Sequence, residues 1–177
     1  MIMNKTTAPA NIMPTLTAND IDGKAFDLTE RQTELPWKMI VIYRGKHCPL
    51  CTKQLNALAS IKDDYTQAGI EIAAVSADSQ EQLSGHLKDL EVNFPLYSGL
   101  TLEQMTNLGV YISEPRNENE TDHPFSEPAI FVLNEQNQIQ ILDKSNAPFS
   151  RPDLNALLSG IKFIRENDYP IRGTFAP

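Results

Sequence analysis

Cysteine and basic residues are both scarce in this chain of 177 residues. It contains only two cysteines, Cys48 and Cys51, and it has 15 Lys and Arg residues against 23 Asp and Glu, for a formal net charge of -8. Nucleic acids and anionic membrane surfaces both attract proteins with an excess of positive charge. We therefore expect neither of them as a partner.

Long apolar runs are also missing. No stretch approaches the roughly 20 apolar residues that cross a bilayer. Residues 1–10 lack the apolar segment and cleavage site of a secretory leader. A cytoplasmic location is the resulting expectation, and cytosolic thiols are kept reduced, so two cysteines make a poor structural framework there. Their close spacing predicts chemistry or metal binding instead.

The chain is long enough to bury a full core. With 41% hydrophobic residues, we expect one compact domain over residues 1–177. Two uninterrupted apolar runs, at 39–43 and 70–75, are typical of strands buried on both faces. Between them, apolar residues recur at helical spacing over 51–68, and Gly69 stands where a C-terminal cap belongs. Strand, helix and strand predict a parallel unit with the cysteines at the helix N-terminus.

The remaining elements are predicted from turn residues and periodicity. Apolar and polar residues alternate on either side of Asp22 and Gly23, which indicates a hairpin over 14–28. The other predicted elements are helices at 79–90 and 102–108, a short strand at 94–97, a polar loop at 113–126, a second hairpin over 129–142, and a closing helix at 152–166 with Pro in its first turn.

The position of the cysteines predicts an unequal pair of thiols. Cys48 lies near the unpaired amides of the opening turn, where the helix dipole favours an anion. Arg44, Lys46 and His47 add positive charge, so we expect a lowered pKa for the Cys48 thiol. Cys51, one turn further into the helix, should be more buried and act as the resolving thiol.

Histidines offer two further interpretations of the site. His47 is the nearest candidate in sequence for proton transfer to a leaving or resolving sulfur, although its side chain could equally face solvent. Zinc would need three or four protein ligands. Besides the cysteines only His47, His86 and His123 are available, and they fall on different elements. We therefore expect no metal and no cofactor.

The order of elements resembles the thioredoxin-like superfamily, and more narrowly the AhpC/TSA peroxiredoxin-like proteins, over nearly the whole chain. That resemblance implies an α/β fold, with a mixed central sheet flanked by helices and an N-terminal β-hairpin. The segments that carry the resemblance, in order, lie at 14–28, 75–79, 93–98, 130–133 and 150–153. Arg151, in the last of them, resembles a second family Arg near the site, but a surface Arg at a helix start would look the same.

The active-site motif departs from that of true peroxiredoxins, which carry P-x-x-x-T-x-x-C and a later Arg. Aligned through the preceding strand, Cys51 falls on the peroxidatic cysteine, Cys48 on the Thr and Arg44 on the Pro. The later Arg falls on or beside Pro128, which resembles the cis-proline of thioredoxins. Glu127 would then lie beside the dithiol, where thioredoxins pair a neutral residue with the substrate backbone, and would raise the thiol pKa. Without the Thr hydroxyl and that Arg, the site lacks donors for a developing peroxide oxyanion.

Three functions are considered, in order of preference; the first two follow from the resemblance, and the third rests only on the polar loop at 113–126. The first is thiol-disulfide exchange, with Cys48 attacking and Cys51 resolving. The second is thiol peroxidase activity, with Cys51 peroxidatic and Cys48 resolving, and the third is a redox sensor or binding module without turnover. The expected partners are a protein or small-molecule thiol or disulfide, or a peroxide, with an electron donor of the thioredoxin or glutathione type. A homodimer is compatible with this resemblance.

Arg44 is interpreted either as a neighbour of the thiolate or as the partner of an acid at the site rim.

Overall fold

The computed structural model describes residues 7–175. Residues 1–6, which belong to the segment expected to lack a secretory leader, lie outside the described range. Within this range, a five-stranded mixed sheet forms the centre of the fold, and its strands lie side by side in the order Leu96–Tyr97, Ile70–Val75, Trp37–Ile42, Ala129–Leu133 and Ile139–Lys144. The elements are β1 (Thr17–Asn19), β2 (Ala25–Asp27), β3 (Trp37–Ile42), α1 (Pro49–Ser60), α2 (Lys62–Gln67), β4 (Ile70–Val75), α3 (Gln80–His86), a 3-10 helix (Leu87–Asp89), β5 (Leu96–Tyr97), α4 (Leu102–Leu108), β6 (Ile112–Ser113), β7 (Phe125–Ser126), β8 (Ala129–Leu133), β9 (Ile139–Lys144) and α5 (Leu154–Asn167).

The central strand β3 explains why core lies on both faces of the sheet. It runs parallel to β4 and antiparallel to β8, and all six of its residues are buried. Met39 and Val41 belong to the cluster that includes residues of α1, α2 and α5, whereas Ile40 and Ile42 belong to the cluster around α4 and the N-terminal hairpin. This alternation follows from the two-residue period of a strand. The predicted α/β architecture and parallel unit are confirmed.

Three predicted helices differ in detail from the structure. The helix expected at 51–68 is interrupted at Ile61, whose φ of -118° and ψ of 13° leave helical geometry. Ile61 packs against the core from this position. The segment predicted as helix over 79–90 tightens into a 3-10 helix after His86. Pro152 precedes α5 rather than entering its first turn, because Asp153 is the N-cap and accepts the Ala156 N–H at 2.7 Å.

The segment predicted as a loop over 113–126 is closed at its base by a strand pair. Ile112 lies opposite Ser126 and Ser113 opposite Phe125 in the antiparallel ladder of β6 and β7. Inside the loop, Nε of Arg116 lies 3.1 Å from Oε1 of Glu120. This pairing brings the acidic side chain of Glu120 back towards the end of β3.

The turn between β3 and α1 is fixed by Asp78, in the segment that follows β4. Gly45 has a φ of +134°, and a Cβ at this position would lie 2.5 Å from Oδ1 of Asp78. Asp78, which is 1% exposed, accepts the backbone N–H of Lys46 at 2.7 Å. The N–H of Cys48 in turn donates to the carbonyl of Gly45 at 3.2 Å. The start of α1 is therefore held against β4, the neighbouring parallel strand.

A buried ion pair joins the same two strands at their other end. Lys38 and Glu71 are register partners, and Nζ of Lys38 lies 3.1 Å from Oε2 of Glu71. Nζ also donates to the Glu30 carbonyl at 2.6 Å, and the Glu71 carboxylate accepts the N–H of Gln32. Burial lowers the pKa of Lys38 and the charge of Glu71 opposes this effect. The pair therefore depends on both members.

We expect Glu71→Ala to lower the free energy of unfolding by about 3 kcal/mol, because the Lys38 ammonium would remain buried without its counter-charge. Urea denaturation followed by circular dichroism measures this loss. Asp63→Ala is the control, since its pair with Lys62 spans 4.0 Å and Asp63 is 88% exposed. That variant should change stability by less than about 1 kcal/mol. Equal effects of the two substitutions would contradict the assignment.

Candidate active site

The two cysteines lie at the N-terminus of α1, as the sequence predicted, and both are free thiols. Cys48 is the N-cap residue, and its Sγ accepts the backbone N–H of Cys51 at 3.2 Å. Pro49 occupies the first helical position, where its missing N–H costs no hydrogen bond. The residues are 1% and 0% exposed, so the difference in burial expected between them is very small.

The Cys48 thiol is the acidic member of the pair. A hydrogen bond from the Cys51 thiol is the main cause that lowers the pKa of Cys48 to about 6, against the opposing effect of burial. The Arg44 side chain, the Cys51 N–H and the charge of Arg151 lower it further. The exposed side chain of Lys46 lies instead against Gly85 on α3. Arg44 and Arg151 therefore supply the positive charge that the sequence had assigned partly to Lys46.

The Cys51 thiol is the protonated member. Burial, the hydrogen bond it gives to Cys48 and the negative charge of Cys48 all raise the pKa of Cys51. Its sulfur nevertheless receives two donors, the backbone N–H of Arg44 at 3.4 Å and Nη2 of Arg151 at 3.1 Å. Both donors are suited to a thiolate at Cys51 once the charge on Cys48 is gone. The two sulfurs thus share one proton and one negative charge.

Arg151 is part of this site and not a surface residue at a helix start. Its Nε donates to the Pro148 carbonyl at 2.5 Å, and its Nη1 donates to Oε1 of Gln54. Nη2 lies 3.8 Å from Sγ of Cys48, in addition to its contact with Cys51. The position two residues before the α5 N-cap was the only local signal for this residue. Its contact with the sulfurs depends on how α5 packs against α1.

Arg44 is both a neighbour of the Cys48 thiolate and the partner of acidic residues at the rim of the site, so both interpretations of this residue apply. Its Nε lies 3.1 Å from Oε2 of Glu127, as an ion pair without the alignment of a hydrogen bond, and its Nη2 lies 3.8 Å from Oε1 of Glu120. The guanidinium lies over the Phe125 ring, 4.8 Å from the centroid. Oε1 of Glu127 accepts the Ser113 hydroxyl at 2.7 Å. Glu127 is therefore engaged with Arg44 and Ser113.

The predicted cis conformation of Pro128 is wrong. Every peptide bond within residues 7–175 is trans, including the one between Glu127 and Pro128. The trans form is favoured by about 0.5–1 kcal/mol before proline, and here the chain runs directly from β7 into β8. The N–H of Glu127 donates to the Tyr111 carbonyl at 2.8 Å, and the N–H of Ser145 donates to the Pro128 carbonyl at 3.0 Å. The Glu127 N–H that would pair with a substrate backbone in a thioredoxin-type site is thus already bonded.

His47 packs in the site without a polar contact. Its ring centroid lies 4.5 Å from that of Phe125, and both ring nitrogens are buried with no hydrogen-bond partner among residues 7–175. Burial, followed by the charge of Arg44, lowers the pKa of His47 and keeps the ring neutral. The ring does not face solvent freely, and it makes no hydrogen bond to either sulfur. Its role in proton transfer stays a prediction.

The other two histidines have local partners. Nε2 of His86 lies 2.8 Å from the Thr52 hydroxyl, and Nε2 of His123 lies 3.2 Å from Oδ1 of Asp78. Among residues 7–175, no three His, Cys, Asp or Glu side chains group so as to hold a metal ion. In the same range, no helix is both long and apolar enough to cross a bilayer.

Comparison with curated proteins finds relatives among peroxiredoxins. A putative peroxiredoxin of Mycobacterium tuberculosis is 30% identical over 111 residues, which cover 62% of this chain and 69% of the relative. Peroxiredoxin Bcp of Escherichia coli is 28% identical over 101 residues, or 57% of this chain and 64% of that protein. The matched part is thus slightly under two thirds of Bcp.

Solved structures and a family model agree with this result. Peroxiredoxin 6 of Arenicola marina has a TM-score of 0.75 at 16% identity, covering 89% of this chain and 73% of that one. Peroxidoxin BcpB of Mycobacterium tuberculosis has a TM-score of 0.71 at 14% identity, covering 90% and 99%. These likenesses confirm the predicted thioredoxin-like fold, and the model of the AhpC/TSA family matches residues 9–141. The chain therefore belongs to the AhpC/TSA family and is a peroxiredoxin-like oxidoreductase.

Proposed function

We propose that this protein is a thiol-disulfide oxidoreductase in which Cys48 attacks and Cys51 resolves. The observation that carries the proposal is the asymmetry of the pair. The pKa of Cys48 is lowered to about 6, whereas the pKa of Cys51 is raised above its usual value. The thiolate is the nucleophilic form of cysteine, so at neutral pH Cys48 is the reactive sulfur.

In the first step, the Cys48 thiolate attacks one sulfur of a substrate disulfide. A bond forms between Sγ of Cys48 and that sulfur, the substrate disulfide breaks, and the other substrate sulfur leaves as a thiolate that takes up a proton. The mixed disulfide no longer carries the negative charge of Cys48. One of the causes that raised the pKa of Cys51 is therefore removed.

In the second step, Cys51 loses its proton and attacks Sγ of Cys48. Nη2 of Arg151, at 3.1 Å, and the backbone N–H of Arg44, at 3.4 Å, support the new thiolate. The Cys48–Cys51 disulfide forms and the remaining substrate sulfur leaves as a thiol. In total, two electrons and two protons pass to the substrate. A thiol reductant of the thioredoxin or glutathione type then restores the dithiol.

The residues around the sulfurs act in this scheme by placing charge. Arg44 and Arg151 stabilise the thiolate, and Glu127 with Glu120 positions Arg44. Pro128 holds the junction between β7 and β8 from which Glu127 projects.

We further propose that residues 1–177 form a single domain, that the protein works in the cytoplasm, and that it forms homodimers.

A second candidate is a thiol peroxidase in which Cys51 attacks peroxide. One observation favours it: although Pro128 stands at or beside the position of the family's later Arg, another guanidinium, that of Arg151, lies against the sulfur that aligns with the peroxidatic cysteine. Sγ of Cys51 would take one peroxide oxygen as a sulfenic acid, and the other would leave as water or an alcohol. Cys48 would then displace the sulfenic oxygen as water and form the disulfide. The redox sensor stays a prediction.

The lowered pKa of Cys48 predicts that one thiolate appears with a midpoint near pH 6, measured by its ultraviolet absorbance. Cys48→Ser should abolish this titration. Arg44→Met and Arg151→Met should each move the midpoint to higher pH, since each removes a positive charge beside the sulfur. Arg172→Met, which removes an exposed charge from the C-terminal segment, should not move it. A midpoint above pH 8 in the unmodified protein would contradict the assignment.

Exchange predicts that Cys51→Ser accumulates a mixed disulfide through Cys48, because the resolving thiol is missing. Incubation with insulin and with a small disulfide, followed by non-reducing electrophoresis and mass spectrometry, detects the adduct. Cys48→Ser is the matched control and should trap about tenfold less, because burial, the largest cause that raises the pKa of Cys51, persists in this variant. If the two variants trap substrate equally, Cys48 is not the attacking sulfur.

The peroxidase candidate predicts sulfenic acid on Cys51 in Cys48→Ser after limiting peroxide. Dimedone labelling and mass spectrometry detect this product, and Arg151→Met should reduce its yield about tenfold or more, since it removes a charged donor to the reacting group. A Cys51 that remains unlabelled in Cys48→Ser would eliminate this candidate and leave exchange.

A further inference from the structure

A cleft lies beside the dithiol, and the two exchange steps proposed for Cys48 and Cys51 assign it no role. It lies between α1 and the segment that leads into α5, and its volume is about 380 Å³, which is within the range of small-molecule sites. Its walls are mainly apolar side chains, contributed by Leu50, Ala57, Ile61, Pro148, Phe149 and Leu154. Phe149 is 79% exposed, so it presents an apolar ring to water at the edge of the cleft.

The cleft is connected to the sulfurs through two of its lining residues. Leu50, between the two cysteines in the sequence, is 39% exposed. Arg151 also lines the cleft, and its Nη2 lies 3.1 Å from Sγ of Cys51 and 3.8 Å from Sγ of Cys48. Both cysteines are almost completely buried. Because the sulfurs are recessed, a small disulfide can reach them more easily than a disulfide on the surface of a folded protein can.

The charges around the cleft favour an anion. Lys53 is exposed and supplies a positive charge to the lining. The guanidinium of Arg151 is directed at the sulfurs, where it stabilises the Cys48 thiolate. Asp153 is the acidic residue of the lining, and its carboxylate already accepts the N–H of Ala156 as the N-cap of α5. Lys53 is therefore the charge of the lining that is complementary to a negatively charged ligand.

We propose that this cleft binds the apolar arm of a low-molecular-weight disulfide that ends in a carboxylate. The proposal rests on the exchange function and specifies its substrate class. The arm packs against Leu50 and Phe149, and its carboxylate lies near Lys53. The disulfide lies beside Arg151, where the Cys48 thiolate attacks it. The arm remains bonded to Cys48 in the mixed disulfide and leaves as a thiol when Cys51 attacks.

A series of mixed pyridyl disulfides tests the proposal, because every member releases the same chromogenic pyridinethione. The three arms come from mercaptoethanol, mercaptohexanol and mercaptohexanoate. With the pre-reduced protein in a single turnover, we expect the second-order rate constant of pyridinethione release to rise about tenfold or more from the ethanol to the hexanol arm as methylene groups become buried. The hexanoate arm should gain about a further threefold from the charge of Lys53.

Two substitutions with matched controls separate the apolar and the charged parts of the cleft. Phe149→Ala should remove most of the preference for the six-carbon arms, whereas Phe163→Ala, which truncates an exposed ring on α5 outside the cleft, should not. Lys53→Gln should remove the advantage of hexanoate over hexanol. Lys88→Gln has the same change of charge on a residue outside the cleft and should preserve this advantage.

The outcomes distinguish this inference from the exchange function. Release of pyridinethione from all three arms at equal rates, absent in Cys48→Ser, would overturn the subsite and leave exchange intact. If release never exceeds that of Cys48→Ser, the exchange function itself fails and the subsite fails with it. If Phe149→Ala slows reduction of insulin but not of the six-carbon arms, the cleft receives a polypeptide side chain and the proposed substrate class is wrong.

Discussion

One negative charge, shared by two buried sulfurs, is the feature on which the rest of the site depends. Cys48 and Cys51 are removed from water, and burial alone would protonate both thiols. At Cys48 the hydrogen bond from the Cys51 thiol is the main cause that offsets this effect, and the side chain of Arg44, the N–H of Cys51 and the guanidinium of Arg151 add to it. Because these groups all lie within the site, the charge stays on a sulfur without contact with solvent. The site can therefore keep a reactive thiolate in an apolar setting.

The architecture serves to bring these groups together from distant parts of the chain. The end of β3 supplies Arg44, and the clamp between Gly45 and Asp78 fixes where α1 begins. The junction of β7 and β8 supplies Glu127, which pairs with Arg44. The segment before α5 supplies Arg151. Each arrives from the end of a core element, so the rigidity of the sheet and helices is transmitted to the sulfurs.

The local parts of this site could be predicted from the sequence, and the parts that depend on tertiary packing could not. Helical spacing placed both cysteines in the first turn of α1, because that geometry involves only neighbouring residues. Arg151 lies about 100 positions away, and only the packing of its segment against Gln54 brings it to the sulfurs. The cis prediction for Pro128 rested on the resemblance to thioredoxins and not on the local sequence, and the peptide bond is trans. The break at Ile61 depends on core packing that periodicity does not report.

The donors around each sulfur decide which of the two carries the charge. Arg151 and the N–H of Arg44 both donate to Cys51, which falls on the peroxidatic cysteine when the sequence is aligned with the peroxiredoxin motif. In a site with a single cysteine there, these donors would stabilise its thiolate. Here Cys48 lies one helical turn away, with the N–H and the thiol of Cys51 as its own donors, and its pKa is the lower of the two. In the proposed exchange the donors to Cys51 act after Cys48 has reacted, so the same geometry that would suit peroxide attack would support the resolving step.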